Sequence, residues 1–111
     1  ESYEKTVELN PKHSDAYLNL GRSYLQLHDL RQSKSTLEKA IEIDRRSYLA
    51  YYYLGVLSEE TEEIDLAIEY YLRALRLEPN HPESNNNLGK IFLSREEFQR
   101  ADKLFERARA S

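Results

Sequence analysis

The side chains of this chain that could do chemistry begin with three histidines, His13, His28 and His81. Imidazoles bind metal ions and transfer protons near neutral pH. All three fall in predicted turns between helices, and His13 and His81 hold equivalent places in two units of a repeat described below. Equivalent residues of stacked units do not converge on one metal ion. We therefore interpret the three histidines as solvated turn residues, and the sequence predicts no metal site.

Carboxylates are the second chemically active set, and their densest run is Glu59, Glu60, Glu62, Glu63 and Asp65. Two interpretations of this run are open. The first is a charged turn between helices, in which Glu62 and Glu63 are stabilised by the dipole at the start of the next helix. The second is an acidic rim that receives a basic peptide. Most other carboxylates stand near lysine or arginine on predicted helix faces, as is common on surface helices.

The function classes that the sequence argues against are enzymes, nucleic-acid binders and membrane proteins. It has no glycine-rich phosphate loop and no nucleophile–base pair at a recognisable spacing, so it predicts no catalytic residue and no cofactor. A net charge of −4 argues against nucleic acid, because neutralising phosphates needs a basic surface. No apolar run approaches the roughly 20 residues that cross a bilayer. The absence of cysteine does not identify the compartment, and the cytoplasm is the default expectation.

The elements that position these side chains follow from Gly21, Gly55 and Gly89, which are 34 residues apart and each follow a leucine. A fixed long period indicates a repeat array. In the first unit Tyr17, the Leu–Gly pair and Tyr24 follow the spacing i, i+3, i+4, i+7, which is one face of a helix. A second apolar stripe follows after a short break. The sequence therefore predicts two antiparallel helices per unit, stacked into an all-α solenoid without strands.

Further positions recur at the same period, and they give the repeat a recognisable signature. They are Ser33, Ala67 and Ala101, then Leu37, Tyr71 and Phe105, then Ala40, Ala74 and Ala108. This pattern resembles the tetratricopeptide repeat (TPR), whose unit of about 34 residues reads W-x2-L-G-x2-Y…A-x3-F…P. The resemblance implies a right-handed α-solenoid. It also implies the tail helix of a preceding unit at 1–13 and three units at 14–47, 48–81 and 82–111, without a separate capping helix.

The repeated glycine predicts a close approach between the two helices of each unit, because it recurs opposite the small residues Ser33, Ala67 and Ala101. Asn85 departs from the repeat, since the other units have tyrosine there. A buried amide without partners costs about 1–3 kcal/mol, so we expect the third unit to be looser. Arg45 also departs from it, standing where the adjacent units have proline.

In TPR proteins the face of each first helix opposite its core stripe lines a concave groove, which holds an extended peptide or a partner helix. On this chain the candidate peptide-binding residues of that face are Asn19, Arg22, Tyr52, Tyr53, Glu59, Asn86, Asn87 and Lys90. An asparagine side chain pairs with any peptide unit, because an amide both donates and accepts hydrogen bonds. Tyrosine is enriched at binding hot spots, although Tyr52 and Tyr53 equally fit plain packing between repeats.

The sequence thus predicts a scaffold for protein–protein interaction that takes a protein or peptide ligand in the groove. Two alternatives are open. One is a structural module that associates with copies of itself through an apolar face of the C-terminal helix, since exposed apolar patches mark interaction sites. That face consists of Ala101, Leu104, Phe105 and Ala108. The other is the substrate-selecting arm of a larger enzyme, as in TPR glycosyltransferases.

Overall fold

The computed structural model describes residues 14–110, and every regular element in that range is an α-helix. The helices are α1 (Ser14–Gln26), α2 (Leu30–Ile43), α3 (Tyr48–Glu60), α4 (Ile64–Leu77), α5 (Pro82–Ser94) and α6 (Phe98–Ala110). None of these helices is long and apolar enough to cross a membrane. The predicted tail helix at 1–13, with His13, lies outside the described residues. The exact boundaries of the three units stay a prediction.

Several helices begin at residues whose chemistry marks a start. Asp29 Oδ1 accepts from the backbone N–H of Gln32 at 3.4 Å ahead of α2, and Ser47 Oγ accepts from that of Ala50 at 3.4 Å ahead of α3. Pro82 lies in the first turn of α5. A proline is tolerated there because the first N–H groups of a helix have no partner within it. These caps satisfy backbone donors that would otherwise stay unpaired.

The turn within each helix pair contains a residue in the left-handed region of backbone space. The φ angles are 62° at His28, 62° at Glu62 and 63° at Glu96, and the three residues are equivalent in the repeat. In the middle turn the N–H of Glu63 donates to the carbonyl of Ser58 at 2.8 Å. This is the Schellman type of helix end, which usually places glycine at the left-handed position. The fold reproduces the same turn three times without a glycine to signal it.

The helices stack in chain order, with α1 on α2, α3 on α4 and α5 on α6. In addition, α3 packs against α2, α5 packs against α4, and α1 touches α3. Two clusters of buried side chains run through the stack. The first includes Leu37 and Leu54, and the second includes Tyr71, Leu88 and Phe92. The predicted all-α solenoid of helix pairs is confirmed.

The helices of each pair approach closely at the repeated glycine, but the residue that fills the space is not the small one. A Cβ added to Gly55 would lie 2.6 Å from Cε1 of Tyr71, and one added to Gly89 would lie 2.8 Å from Cε1 of Phe105. The small residues are buried nearby, and Ser33 Oγ donates to the carbonyl of Gly21 at 2.8 Å. The predicted close approach is therefore confirmed. Glycine is required because a bulky side chain of the second helix lies directly over it, in addition to the small residue nearby.

Asn85 is fully buried, and most of its amide is satisfied. Its Nδ2 donates to the carbonyls of Pro79 and His81, each at 3.1 Å. Its Oδ1 has no hydrogen-bond partner among the described residues. The amide thus fastens the turn before α5 to the body of that helix, at the cost of one unpaired acceptor.

The apolar face predicted on the C-terminal helix is only partly open. Ala101 and Leu104 are 1% and 8% exposed, because they pack within the second cluster. Phe105 is half-buried against the same cluster. The prominent exposed apolar side chain of α6 is instead Phe98, at 56% exposure. Self-association through this helix stays a prediction. Its accessible apolar side chains are Phe98 and, in part, Phe105, whereas Ala101 and Leu104 are buried.

Candidate functional site

We call the surface formed by the eight candidate residues on α1, α3 and α5 the first-helix face. Its members are Asn19, Arg22, Tyr52, Tyr53, Glu59, Asn86, Asn87 and Lys90. Glu59, Tyr53 and Asn87 are half-buried, as is Tyr52, whereas the other four are exposed. The face therefore has a partly enclosed centre, flanked by solvated amide and basic groups.

The centre of the first-helix face is organised by a residue from behind it, Tyr71 on α4. The ring of Tyr71 is fully buried and lies over Gly55. Its hydroxyl donates to Glu59 Oε2 at 2.5 Å and accepts from Asn87 Nδ2 at 3.2 Å. One phenol therefore joins side chains from two successive first helices, α3 and α5.

The electrostatics of this hydrogen-bond chain keep the phenol protonated. Burial, followed by the hydrogen bond to and charge of Glu59, raises the pKa of Tyr71 well above its ordinary value. A neutral phenol has one O–H donor, and here it is used in the hydrogen bond to the carboxylate of Glu59. Glu59 is thereby held in one orientation, with its second oxygen available to accept from another group.

Tyr52 packs beside this chain and extends it toward solvent. Its ring makes edge contacts with Tyr53 and His81, with centroids at 5.0 Å and 5.1 Å, and lies 6.0 Å from the ring of Tyr71. Burial raises the pKa of Tyr52, and the neighbouring amide of Asn87 acts in the opposite direction. The tyrosine pair therefore packs between repeats and also keeps part of its surface at the face.

The amide nitrogen of Asn87 bonds to a tyrosine of the neighbouring unit. It donates to the hydroxyl of Tyr71 at 3.2 Å. An amide nitrogen carries two protons, so this bond engages one of them. The second proton and the carbonyl oxygen Oδ1 are not used by this bond, and the expected role of Asn87 as combined donor and acceptor stays a prediction.

The acidic run divides into one organised residue and several exposed ones. Glu59 belongs to the Tyr71 chain, whereas Glu60, Glu62 and Glu63 extend into solvent around the turn. Asp65 accepts from Arg95 Nη2 at 2.7 Å. Both groups of this ion pair are substantially exposed, and such pairs contribute little stability. Only Glu59 joins the centre of the first-helix face.

His81 corrects the expectation of a solvated turn histidine. It is 8% exposed, and it caps α5, where its Nδ1 accepts from the backbone N–H of Ser84 at 3.3 Å. The rings of Tyr48 and Tyr52 cover it, each with centroids at 5.1 Å. Burial lowers its pKa, which favours the neutral ring. His28, in contrast, is exposed in its turn as predicted.

The tautomer of His81 follows from its hydrogen bonds. Because Nδ1 accepts from Ser84, the proton of the neutral ring resides on Nε2, which lies 3.1 Å from Glu83 Oε1. The ring thus bridges the start of α5 to the aromatic group on α3. This role of His81 is not visible in the sequence, because the covering rings come from another helix.

Known proteins share this architecture over most of the chain. A family model described as tetratricopeptide repeat matches residues 18–82 and 59–111. The crystal structure of MamA superposes with a TM-score of 0.86 at 27% sequence identity, covering 97% of this chain and 63% of that one.

Two sequence relatives carry different names and are considerably longer. The type IV pilus assembly protein PilF of Pseudomonas aeruginosa is 34% identical over 97 residues, which are 87% of this chain and 38% of PilF. The Sol locus transcriptional repressor of Clostridium acetobutylicum is 29% identical over 85 residues, which are 77% of this chain and 27% of the repressor. The chain therefore spans about a third of the length of these relatives.

The family and the fold agree on a general role. Repeats of this kind form interaction scaffolds, and the fold is in general a non-catalytic one. The matches to the family, to MamA and to PilF indicate a scaffold for protein–protein interaction. With the helices of residues 14–110 arranged as stacked pairs and a family match that spans residues 18–111, the chain belongs to the tetratricopeptide repeat family.

Proposed function

We propose that the first-helix face binds an extended segment of a partner protein, centred on Glu59, Asn87 and Tyr52. The observation that carries this proposal is the hydrogen-bond chain through Tyr71, which fixes a carboxylate and an amide from two repeats side by side. The groups of this centre that these two bonds leave unused are the second oxygen of Glu59 and the remaining N–H and Oδ1 of Asn87. Extended backbone offers both donors and acceptors to an amide, and a basic side chain offers a charged donor to the carboxylate.

Preorganisation supports this assignment. Ordering a flexible side chain on binding costs about 0.5–1.5 kcal/mol. Glu59 and Asn87 are already held by the buried Tyr71, so most of that cost is met when the protein folds. A half-exposed tyrosine beside them adds apolar contact area with little loss of rotamer freedom. The centre has the features of a binding hot spot, namely rigid aromatic surface around fixed polar groups.

The flanks of the face suggest the charge pattern of the ligand. Arg22 on α1 and Lys90 on α5 are exposed, with Glu59 on the helix between them. We infer a ligand with a basic residue near its middle and acidic residues on either side. Asn19 and Asn86 provide further exposed amides for its backbone.

The experiment uses a peptide selected from a displayed random library on the 111-residue chain. Replacing a hot-spot side chain by alanine costs about 2 kcal/mol, which is roughly thirtyfold in affinity. We expect a loss of that order for Tyr52→Ala and a larger one when Tyr53→Ala is added. Leu27→Ala, at an exposed turn position away from the face, is the control and leaves affinity unchanged. Circular dichroism checks that each variant is folded, and unchanged affinity in the folded double variant would refute the proposal.

A second candidate function, self-association, is favoured by the exposed ring of Phe98 at the start of α6. A large exposed aromatic side chain is suited to contact with another copy. Light scattering over a concentration series tests this. Dimers that dissociate on Phe98→Ser would support it, whereas a monomer at every concentration would exclude it.

A further inference from the structure

A separate cleft lies between the α2–α3 turn, α3 and α4, and it shares no residue with the first-helix face. Its volume is about 280 Å³, and its lining is Arg45, Tyr51, Arg73, Arg76 and Leu77. Two segments of the chain, residues 45–51 and 73–77, thus bring three arginines and a tyrosine to one concave place. Leu77 supplies the apolar part of the wall.

The three arginines have no carboxylate within ion-pair distance among residues 14–110. Two other arginines of these residues are paired, Arg95 with Asp65 and Arg100 with Glu97. Grouped cations repel one another, and an anion between them relieves that repulsion. The chain as a whole is acidic, with a net charge of −4, so the grouping of three arginines is a local departure from the overall charge.

A second cavity of about 280 Å³ adjoins the cleft and has acidic residues in its wall. Glu38 and Glu42 form its wall together with Tyr51 and Arg73, which belong to both cavities. Arg73 also lies over the ring of Tyr70, with its guanidinium carbon 5.9 Å from the centroid. The two glutamates line only the adjoining cavity, and Arg45 and Arg76 line only the cleft.

The repeat itself does not require this arrangement. Arg45 replaces the proline found at the equivalent positions 11 and 79, and Arg76 corresponds to Glu42 and Ala110. Arg73 corresponds to Lys39 and Arg107. Arg45 and Arg76 are therefore particular to this junction between units, whereas a basic residue recurs in each unit at the position of Arg73.

We propose that this cleft binds a phosphate group, carried either by a phosphorylated side chain of a partner protein or by a free phosphate compound. A guanidinium presents donors in a planar fork that matches phosphate oxygens in a bidentate way, and three of them exceed the charge of one dianion. The Tyr51 hydroxyl adds a neutral donor. The cleft accommodates a single phosphate, whereas a nucleic-acid strand would need a basic track along the surface.

The test measures saturable binding of three probes to the 111-residue chain at low salt, by calorimetry and by shifts of arginine side-chain signals in NMR. The probes are inorganic phosphate, pyrophosphate, and a phosphoserine peptide beside its unphosphorylated form. We expect the phosphorylated probes to bind with shifts at Arg73 and Arg76. Tighter binding of the phosphopeptide than of pyrophosphate assigns the group to a protein partner, and the reverse order assigns it to a free compound.

Matched variants make the test specific. Arg45→Pro restores the residue that the repeat has at this place and removes one cation, so it should weaken binding about tenfold while the turn is kept. The double change Arg73→Ala and Arg76→Ala should abolish measurable binding. Arg107→Ala alters the equivalent of Arg73 in the last unit and should have no effect. No saturable binding of any probe, or binding that survives the double change, would overturn the proposal.

Discussion

The ring of Tyr71 lies directly over Gly55, so that a Cβ on the glycine would fall 2.6 Å from Cε1 of the ring. This contact connects the repeat signature to the candidate binding centre. Because the glycine leaves room, a large side chain from α4 passes across α3, and its hydroxyl reaches Glu59. The residue that defines the repeat in the sequence is thus also the one that allows the polar chain of the first-helix face to form.

The first prediction concerns Gly55→Ala. Alanine is better than glycine in a helix by about 1 kcal/mol, but overpacking a filled core costs about 1–3 kcal/mol. Since the opposing group is a buried ring, we expect a net decrease in the free energy of unfolding, measured by urea denaturation. The control is the same change in a Tyr71→Ala background, where no ring opposes the new methyl group. There Gly55→Ala should be neutral or stabilising, and an equal loss in both backgrounds would contradict the packing argument.

A second prediction concerns the buried amide of Asn85. Replacing it with alanine removes its bonds to the carbonyls of Pro79 and His81 and leaves both oxygens with fewer partners. We expect Asn85→Ala to lower the free energy of unfolding by about 1–3 kcal/mol. The neighbouring Asn86 is exposed, so Asn86→Ala should change it by less than about 0.5 kcal/mol. Equal effects of the two changes would show that the amide of Asn85 is not structurally important.

A third prediction is a pH dependence that arises from His81. Its folded pKa lies below the ordinary value of about 6.5, so the unfolded chain takes up the proton first as the pH falls. The neutral ring therefore makes its full contribution to stability above a pH of about 6.5. That contribution is lost as the pH falls from about 6.5 toward the lower pKa of the folded state. Denaturant midpoints between pH 8 and pH 5 should therefore decrease, with a smaller slope in His81→Asn, since asparagine also caps helices.

The exposed His28 provides the control for this pH series. His28→Asn should leave the pH slope of the parent protein unchanged, because that side chain lies in solvent. Were His81→Asn to keep the full slope, the dependence would belong to carboxylates, and burial of the imidazole would not be its cause.

The sequence predicted the helical repeat well because the signals for it are local and recur three times. The Leu–Gly pairs fix which side of each first helix faces its partner, and hence which side carries Tyr52, Glu59 and Asn87. It did not predict that Tyr71 would reach that side. The repeat period identifies Tyr71 as a core position. The position of its hydroxyl group, however, depends on the space over Gly55 and on a residue of the next repeat.

Other features escaped the sequence argument for related reasons. His81 stands in a turn, where histidines are commonly solvated, but rings from α3 cover it. The left-handed residues His28, Glu62 and Glu96 carry no glycine or asparagine signal, and the fold sets their conformation through the bonds of the turn. Such features depend on contacts between distant elements, which a single sequence does not display.

A fourth prediction isolates the hydroxyl of Tyr71. Tyr71→Phe keeps the ring over Gly55 and removes the bonds to Glu59 and Asn87. We expect a decrease of about 0.5–1.5 kcal/mol in the free energy of unfolding, as for the loss of a typical hydrogen bond. Asn87→Ala removes one of the same bonds from the other side. In a double-mutant cycle the two losses should therefore be less than additive, and full additivity would mean that the two groups do not interact.

The most direct test of the central claim is the affinity of a library-selected peptide for Tyr71→Phe compared with the parent chain, measured under conditions in which both are fully folded. If the first-helix face binds through a carboxylate and an amide held by this phenol, the variant should bind about tenfold more weakly, because both groups become free to move. The Leu27→Ala control should bind like the parent. An affinity for Tyr71→Phe equal to that of the parent would contradict the account.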